Sequence, residues 1–224
     1  MKRIRLYLLS FFVLCGWLHA NGQASVQVEI YPNKTVTLSY EKFDINAFRV
    51  KVARSGSLDY AYTEPDGTQK RVTCQRRGEP IQIYETPPLP AVHRVFSEYY
   101  PNGNLKSKGL YLPSQFVIGK WLECDQQGNC SVDNKEAGRE AFGYNGVLNI
   151  LEDKGFIDAS TGDGNWTFVV WYNDNARQWG VKLQKDTMYK LLEIDADSGE
   201  ILNESEYEVT PANTAIQGEY IAPE

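Results

Sequence analysis

Hydrophobic and polar residues alternate along most of the chain. The period of two is clearest at residues 26–30, 35–40 and 81–84. This alternation is typical of strands that bury one face. Turn-forming residues separate the runs, and Tyr, Trp, Val and Thr are abundant within them. The pattern therefore predicts many short antiparallel strands.

One segment has the spacing of a helix instead. Apolar residues recur every three to four positions over residues 146–154, and Asn145 is a suitable N-cap. Gly155 suits the C′ position, and Phe156 follows where such a helix end makes an apolar contact. A helix of about ten residues is too short to persist alone, so it must pack on a sheet. Its apolar face consists of Val147, Leu148, Ile150 and Leu151.

Four further strands are predicted after the helix. Three lie at residues 166–172, 178–183 and 189–194, and a fourth begins at residue 200. Polar turn residues separate them, which favours an antiparallel meander. We therefore predict an α+β fold that is mostly antiparallel β, with hairpin repeats followed by a helix packed on a β-meander.

Three prolines within residues 86–91 interrupt the strand pattern. Because proline cannot continue a sheet ladder, this stretch is predicted to be a linker. The predicted organisation is a signal peptide (1–20), an N-terminal β region (21–85), the linker (86–91), hairpin repeats (92–133), an α+β module (134–210) and an acidic tail (211–224).

A repeated hairpin is the strongest local signal. Asn102 and Gly103 form a turn dipeptide in which both residues tolerate positive φ. The pattern partly recurs 25 residues later at Gly128, and residues 64–70 carry a weaker echo. Hairpins repeated at this spacing bury their faces by stacking on their neighbours.

Residues 96–130 resemble the variant MORN repeat, which combines an aromatic residue, an Asn-Gly turn, a Leu-Lys pair, a glycine, a tyrosine and a later Gly-Lys-Trp. The motif residues here are Tyr100, Asn102, Gly103, Leu105, Gly109, Tyr111, Gly119, Trp121 and Gly128. Residues 140–205 resemble a PepSY-type module, with a helix followed by a strand, an Asp, a Ser-Gly turn and a further strand. Variant MORN proteins include those grouped as YwqK-family antitoxins. The resemblance implies a binding or inhibitory module, in a family whose partners are diverse.

The N-terminus has the three parts of a secretory signal peptide. A basic segment precedes an apolar run from Leu6 to Leu18, which is shorter than the roughly 20 residues of a membrane span. Cleavage after Ala20 or after Ala24 fits the small-residue exit, with Ala20 preferred. Lipidation at Cys15 and an uncleaved anchor are the competing interpretations. We predict export to the periplasm or the surface of a bacterium.

The predicted mature chain is acidic. The signal removes three of the 23 basic residues and none of the 29 acidic residues, which leaves a net charge of −9. Such a surface repels nucleic acid and anionic lipid. We predict a protein partner, no nucleic-acid partner and no membrane span after cleavage.

Three cysteines remain in the predicted mature chain. Cys124 and Cys130 flank a turn-like segment, so facing strands would bring them together, and an oxidising compartment permits the bond. Cys74 would then be left buried or free. The only mature histidine is His93, and no second close cysteine pair exists, so no metal site is predicted.

No catalytic motif or cofactor motif stands out, and we predict a protein that is not an enzyme and binds no cofactor. Aromatic residues are the candidates for interaction, because they are enriched at interfaces. The candidates are Trp166, Trp171 and Trp179, although core packing between sheet and helix is the favoured explanation for each of them. The predicted function is an exported envelope binding protein, with an immunity or antitoxin role. The alternative is a structural or surface MORN-repeat module without a toxin partner.

Overall fold

The computed structural model describes residues 24–162, 164 and 166–209. It is 46% strand and 12% helix, arranged as antiparallel meanders with two helices, which confirms the predicted fold class. The predicted signal peptide at 1–20 and the tail at 211–224 lie outside the described residues.

The largest sheet is a seven-stranded antiparallel meander in sequence order. Each strand pairs with the next along the chain, so hairpins alone build the sheet. Its strands are β3 (Asp59–Thr63), β4 (Gln69–Thr73), β5 (Ile81–Thr86), β6 (Arg94–Tyr99), β7 (Leu105–Tyr111), β8 (Val117–Cys124) and β9 (Cys130–Asn134).

The proline-rich segment connects two neighbours within this sheet. β5 ends at Thr86 and β6 begins at Arg94, and the two strands pair directly, with Tyr84 opposite Phe96. The prolines end a strand as expected, but the chain then returns to the same sheet. The stretch predicted as a linker at 86–91 therefore does not separate two sheets, and residues on both sides of it share one meander.

Three turns of this sheet have the same backbone geometry. In one of them, Gly103 N donates to Tyr100 O (2.8 Å) and Tyr100 N donates to Asn104 O (2.9 Å). Gly67 and Gly128 make the equivalent bonds in their turns, and all three glycines have φ between +85° and +90°. This is a three-residue hairpin loop whose glycine occupies the left-handed position. The predicted repeat and its weaker echo are thus the same turn.

Helix α1 (Ile45–Ser55) was not predicted from the sequence. The Asp44 side chain caps it by accepting from Asn46 N (3.0 Å) and Ala47 N (2.9 Å). Only Phe48 and Val52, one turn apart, are buried. Two buried positions among β-branched and charged residues give little helical periodicity, so the sequence predicts only a β region over residues 21–85.

Helix α2 (Gly143–Asp153) begins earlier than predicted. Its N-cap is Phe142, so the assignment of Asn145 as N-cap is wrong. Asn145 lies in the first turn, and its side chain instead accepts a hydrogen bond from Tyr31 N (2.8 Å). The carboxamide thus joins the helix to another part of the chain rather than capping the helix itself.

The end of α2 is as predicted. Gly155 has φ +71°, and its N–H donates to Glu152 O (2.8 Å). Phe156 N donates to Leu151 O (2.8 Å), which completes a Schellman motif. Phe156 is itself buried, so the helix end is fixed by both hydrogen bonds and apolar packing.

A four-stranded antiparallel meander follows the helix, in sequence order as predicted. The buried side chains of α2 belong to the same core as the inward side chains of this C-terminal sheet, and Lys154 at the helix end forms an ion pair with Glu204 (2.8 Å). The strands are β10 (Thr167–Asn173), β11 (Gln178–Lys185), β12 (Met188–Asp195) and β13 (Ile201–Glu208). A two-stranded hairpin of β1 (Ser25–Ile30) and β2 (Lys34–Ser39) packs against β8.

The two larger sheets share one continuous core. Phe116, in the turn between β7 and β8, contacts Trp179 of the C-terminal sheet edge-to-face (ring centroids 5.5 Å apart). In the same turn, the Ser114 hydroxyl donates to Val170 O (3.1 Å) and accepts from Val170 N (3.3 Å). Val170 lies on the edge strand β10, so Ser114 satisfies part of an edge that would otherwise be open.

Candidate functional site

The C-terminal sheet has one buried face and one exposed face. Side chains alternate along β10, so Val170 points into the core (2% exposed) while Val169 and Trp171 point outward (46% and 41% exposed). The strand register places Leu191 and Tyr189 of β12 on the same side. We call this side the outer face, and its prominent side chains are Val169, Trp171, Lys182, Tyr189, Leu191 and Tyr207.

The Trp171 indole lies in a space that is open because the residue opposite it on β11 has no side chain. Trp171 and Gly180 are register partners on β10 and β11. A Cβ added to Gly180 would lie 2.1 Å from Trp171 Cε2, so the indole lies directly on the Gly180 backbone. The strand thereby supports a large aromatic side chain that remains substantially exposed.

Two tyrosines form the other end of the outer face. Tyr189 and Tyr207 are register partners, and their rings are stacked with centroids 5.3 Å apart and an interplanar angle of 9°. Lys182 Nζ lies 4.7 Å from the centroid of the Tyr189 ring. Lys182 is itself opposite both Val169 and Leu191. The lysine therefore sits between the tryptophan end and the tyrosine end.

The arrangement has the composition of a protein-binding surface. Tryptophan and tyrosine are the residues most enriched among binding hot spots, particularly where polar groups surround them. Here polar side chains border the aromatic and aliphatic positions on the same face, namely Thr167, Gln178, Gln184, Glu193, Asn203 and Ser205. The outer face can thus bury apolar area while its margins remain hydrated.

The structure does not bring the three predicted tryptophans together. Trp166 is half-buried and packs edge-to-face on Phe156, with ring centroids 5.4 Å apart. Trp179 is fully buried on the inner side of β11, against Tyr172 (5.0 Å). Only Trp171 is on the outer face. Trp179 and Trp166 contribute to the core between the sheets and the helix.

Near Trp179, an arginine is enclosed by aromatic rings. The Arg139 guanidinium carbon lies 5.0 Å from the Phe116 ring, 5.3 Å from Tyr172 and 5.8 Å from Trp179. Arg139 also donates to Lys135 O. Because these rings come from both larger sheets, the cation–π contacts tie the two sheets together.

The repeat-motif residues have structural roles. Tyr100 Oη donates to Cys124 O (3.0 Å), and Asn102 Nδ2 donates to Gln126 O (3.1 Å), so two successive turns lie side by side. A Cβ on Gly109 would lie 1.9 Å from Trp121 Cδ2, so this glycine accommodates an indole as Gly180 does. Gly103, Gly119 and Gly128 have positive φ, and Leu105, Tyr111 and Trp121 are buried.

Cys124 and Cys130 form a disulfide, as predicted, with an S–S distance of 2.05 Å. They are register partners on β8 and β9, so the bond crosses one hairpin. Cys74 is free and buried, and its thiol lies 2.8 Å from Arg76 O. Burial raises the pKa of the Cys74 thiol, and the charge of Glu79 raises it further. Hydrogen bonds to the backbone carbonyls of Arg76 and Glu79 lower the pKa but do not cancel the rise. A thiol in this state is a poor nucleophile.

Among the described residues, two titratable groups have a buried side-chain atom without a hydrogen-bond partner, namely Nδ1 of His93 and Oε2 of Glu136. Burial lowers the pKa of His93, and Lys34 lowers it further. Burial raises the pKa of Glu136, while Arg139 and the Gly119 N–H oppose that rise. Neither group has a nucleophile or a second acid hydrogen-bonded to it in the described part of the chain, so neither forms a recognisable catalytic pair.

Within residues 24–162, 164 and 166–209, no three His, Cys, Asp or Glu side chains are placed to hold a metal ion. No helix in this part of the chain is long and apolar enough to cross a membrane. The Asp195 carboxylate accepts from Asp197 N (3.1 Å) and Ser198 N (2.7 Å), so it stabilises its own turn.

The chain matches no family model, no curated protein and no solved structure. The resemblances to the variant MORN repeat and to the PepSY-type module therefore stay predictions that rest on the motif residues themselves.

Sequence reasoning selected Trp171 but not its neighbours on the outer face. Val169 could have been found, because β10 is apolar at both alternating sets of positions, which predicts an apolar side chain on each face. Tyr189 and Tyr207 could not, because their stacking depends on the register between β12 and β13. The role of Gly180 likewise depends on its being opposite Trp171.

Proposed function

We propose that this chain is an exported, non-enzymatic binding protein of the bacterial cell envelope that holds a partner protein on its outer face. The observation that carries the proposal is Trp171, an indole that is 41% exposed and seated on Gly180. Val169 and Leu191 extend the apolar area beside it. A solvent-exposed side chain that is already held in one position loses little conformational entropy on binding.

Export is supported by two features. The N-terminal sequence has the form of a signal peptide. The disulfide between Cys124 and Cys130 is of a kind that persists in oxidising compartments. An immunity or antitoxin role follows from the resemblance, in which the module covers a toxic partner protein. The acidic net charge favours a basic partner, because complementary charge accelerates association.

The proposal is tested by incubating an envelope extract with the wild-type chain and with matched variants, and by comparing the protein that each of them captures. Val169→Ala removes an exposed valine from the outer face (46% exposed), whereas Val132→Ala removes one from β9 (51% exposed). We expect a protein captured by the wild-type chain and by Val132→Ala to be reduced with Val169→Ala and lost with Trp171→Ala. The captured protein would then be purified and titrated by calorimetry.

A hot-spot tryptophan contributes about 2 kcal/mol or more, which corresponds to a loss of affinity of about 30-fold for Trp171→Ala. Equal affinity of the wild type and Trp171→Ala for the purified partner would exclude the outer face. The immunity role has its own readout: co-expression should relieve toxicity of the partner only when Trp171 is present. A partner without toxicity would favour the structural surface module instead.

A further inference from the structure

A groove lies between α1 and the loop that joins β4 to β5. It has a volume of about 410 Å³, within the range of small-molecule sites. We call it the α1 groove. Its floor and walls are mainly apolar, formed by Ile45, Phe48, Val52, Leu58, Ile81 and Pro101.

Two arginines flank the α1 groove without a partner. Arg49 projects from α1 and Arg77 from the β4–β5 loop, and both line the groove. Neither side chain makes an ion pair, hydrogen bond or ring contact within the described residues. Glu79 is the acidic residue that also lines the groove. Two guanidinium groups therefore remain available beside an apolar cleft, with one carboxylate nearby.

The two segments that contribute the arginines have a net charge opposite in sign to that of the rest of the chain. Residues 42–54 and 75–79 contain six of the 23 basic residues and two of the 29 acidic ones, a local charge of +4. The remaining residues then carry −10. A concentrated positive region on an acidic protein attracts anions to that region specifically. The ligand of the α1 groove should therefore be an anion.

The walls of the groove also limit the kind of anion. A peptide segment would bring backbone N–H and C=O groups that need partners, and apolar walls provide few. An alkyl chain needs none and is stabilised by burial in proportion to its area. A carboxylate at the end of that chain can accept paired hydrogen bonds from guanidinium groups.

We propose that the α1 groove binds a fatty acid, with the alkyl chain along Phe48 and Val52 and the carboxylate at Arg49 and Arg77. This inference goes beyond the binding function proposed above, and it uses a different sheet. The two proposals can therefore fail independently.

Calorimetry with the oxidised, signal-free protein tests the inference, using sodium decanoate below its micelle-forming concentration. Acetate provides the head group alone, and decanol and decylamine provide the chain with a neutral or a cationic head. We expect saturable binding of decanoate that is at least tenfold tighter than binding of decanol, with no binding of acetate or decylamine. Decanol binding as tight as decanoate would refute the role of the arginines.

Two substitutions on α1 locate the site. Ala53 is exposed and lines the groove, so Ala53→Trp should fill it and abolish decanoate binding. Val50 is 50% exposed on the same helix and does not line the groove, so Val50→Trp should bind decanoate like the wild type. Thermal unfolding of both variants at the same temperature as the wild type would show that they fold. Unchanged binding by Ala53→Trp would place decanoate elsewhere and overturn the inference.

Charge and thiol measurements complete the test. Arg49→Gln combined with Arg77→Gln should weaken decanoate binding about tenfold or more and leave decanol binding unchanged. Cys74 lines the groove, is 5% exposed and is a poor nucleophile, so its alkylation by iodoacetamide should be slow in the free protein and slower still with bound decanoate. Alkylation at the same rate with and without saturating decanoate would contradict occupancy of the groove. Binding to anionic vesicles but not to free decanoate would indicate a membrane surface as the ligand and would also overturn it.

Discussion

The indole of Trp171 occupies the space in which a Gly180 side chain would stand, since an added Cβ would lie 2.1 Å from Trp171 Cε2. The same relationship joins Trp121 to Gly109 on the seven-stranded sheet, at 1.9 Å. Trp121 is 7% exposed, whereas Trp171 is 41% exposed. The two sheets thus seat a tryptophan on glycine in the same way, and only the C-terminal sheet leaves the indole accessible.

Gly180→Ala should displace the Trp171 indole. We expect the free energy of unfolding to fall by about 1–3 kcal/mol, because the new methyl group overpacks a filled position. The loss should largely disappear in the double variant Gly180→Ala with Trp171→Ala, where the space is vacant. Urea titrations of the wild type and the three variants measure this coupling. Equal destabilisation by Gly180→Ala with and without Trp171 would show that the indole does not occupy this position.

The disulfide has a simple chemical signature. Unfolded, unreduced protein from which the signal has been removed should show one free thiol, that of Cys74. Three free thiols would rule out the bond between Cys124 and Cys130. Replacing both with serine should lower the free energy of unfolding by about 2 kcal/mol, the chain-entropy value for so short a loop. A Cys74→Ala variant with zero titratable thiols is the matched control for the count.

The Glu41 carboxylate should make stability depend on acid pH. It accepts from Tyr99 Oη (3.0 Å) and pairs with Lys108 Nζ (2.6 Å). Burial raises the pKa of Glu41, but the hydrogen bonds and charge of Lys108 and the Tyr99 hydroxyl outweigh it and lower the pKa overall. A lowered pKa in the folded state adds stability above the unfolded-state value of about 4.3, and that stability is lost as the pH falls through the folded-state pKa.

Glu41→Gln should therefore reduce the loss of stability between about pH 5 and pH 3. Half of the Glu41 side chain is exposed, so the contribution should not exceed about 1 kcal/mol. Glu200→Gln is a suitable control, because Glu200 is exposed and makes no ion pair in the described residues. Urea titrations at each pH measure the difference. Parallel pH profiles for the wild type and Glu41→Gln would remove Glu41 as the cause.

The sequence alone predicts the fold correctly where the structure depends on residues that are close together in the chain. Asn102 and Gly103 specify their turn, and Gly155 with Phe156 specifies the end of α2, because each depends on residues a few positions apart. The start of α2 depends instead on a distant contact. Asn145 has the side chain of an N-cap, but Tyr31 N uses its oxygen.

In the candidate site, too, the sequence predicts the features that depend on nearby residues and not those that depend on distant ones. Trp166 and Trp171 are five residues apart, so a continuous strand would point them to opposite sides, and the structure has Trp166 against Phe156 and Trp171 outward. Which side is covered depends on the position of α2 and on the turn that carries Ser114. Such long-range packing leaves no periodic trace in the sequence, so exposure of Trp171 could not be derived from it.

A hydrogen bond to Ala24 favours one of the two predicted positions of signal cleavage. Ala24 O accepts a hydrogen bond from Tyr40 N (2.7 Å) at the end of the β1–β2 hairpin. Cleavage after Ala24 would remove this bond, whereas cleavage after Ala20 would keep it. We therefore expect a mature chain that starts at Asn21. Intact-mass measurement of exported protein checks this: a chain starting at Ser25 would show that the bond is dispensable, and a retained Met1 would contradict a cleaved signal.

The contact between α2 and the C-terminal sheet should dominate the stability of this part of the molecule. Leu148 and Leu151 are fully buried, and each belongs to the core that contains the inward side chains of the sheet. Leu148→Ala or Leu151→Ala should lower the free energy of unfolding by about 2–5 kcal/mol, from lost burial and from the cavity left behind. The full signal-free chain is the appropriate sample, because the core is continuous between the sheets.

Asn149→Ala is the matched control, since Asn149 lies between the two leucines, is only partly buried and makes no side-chain hydrogen bond in the described residues. Its effect should stay below about 0.5 kcal/mol. Urea titrations of the three variants would then separate packing from helix propensity, because all three place the same alanine in the same helix. Leucine variants as stable as Asn149→Ala would mean that α2 does not cover the sheet. The inner side of the sheet would then be open as well, and the outer face would lose its status as the exposed binding surface.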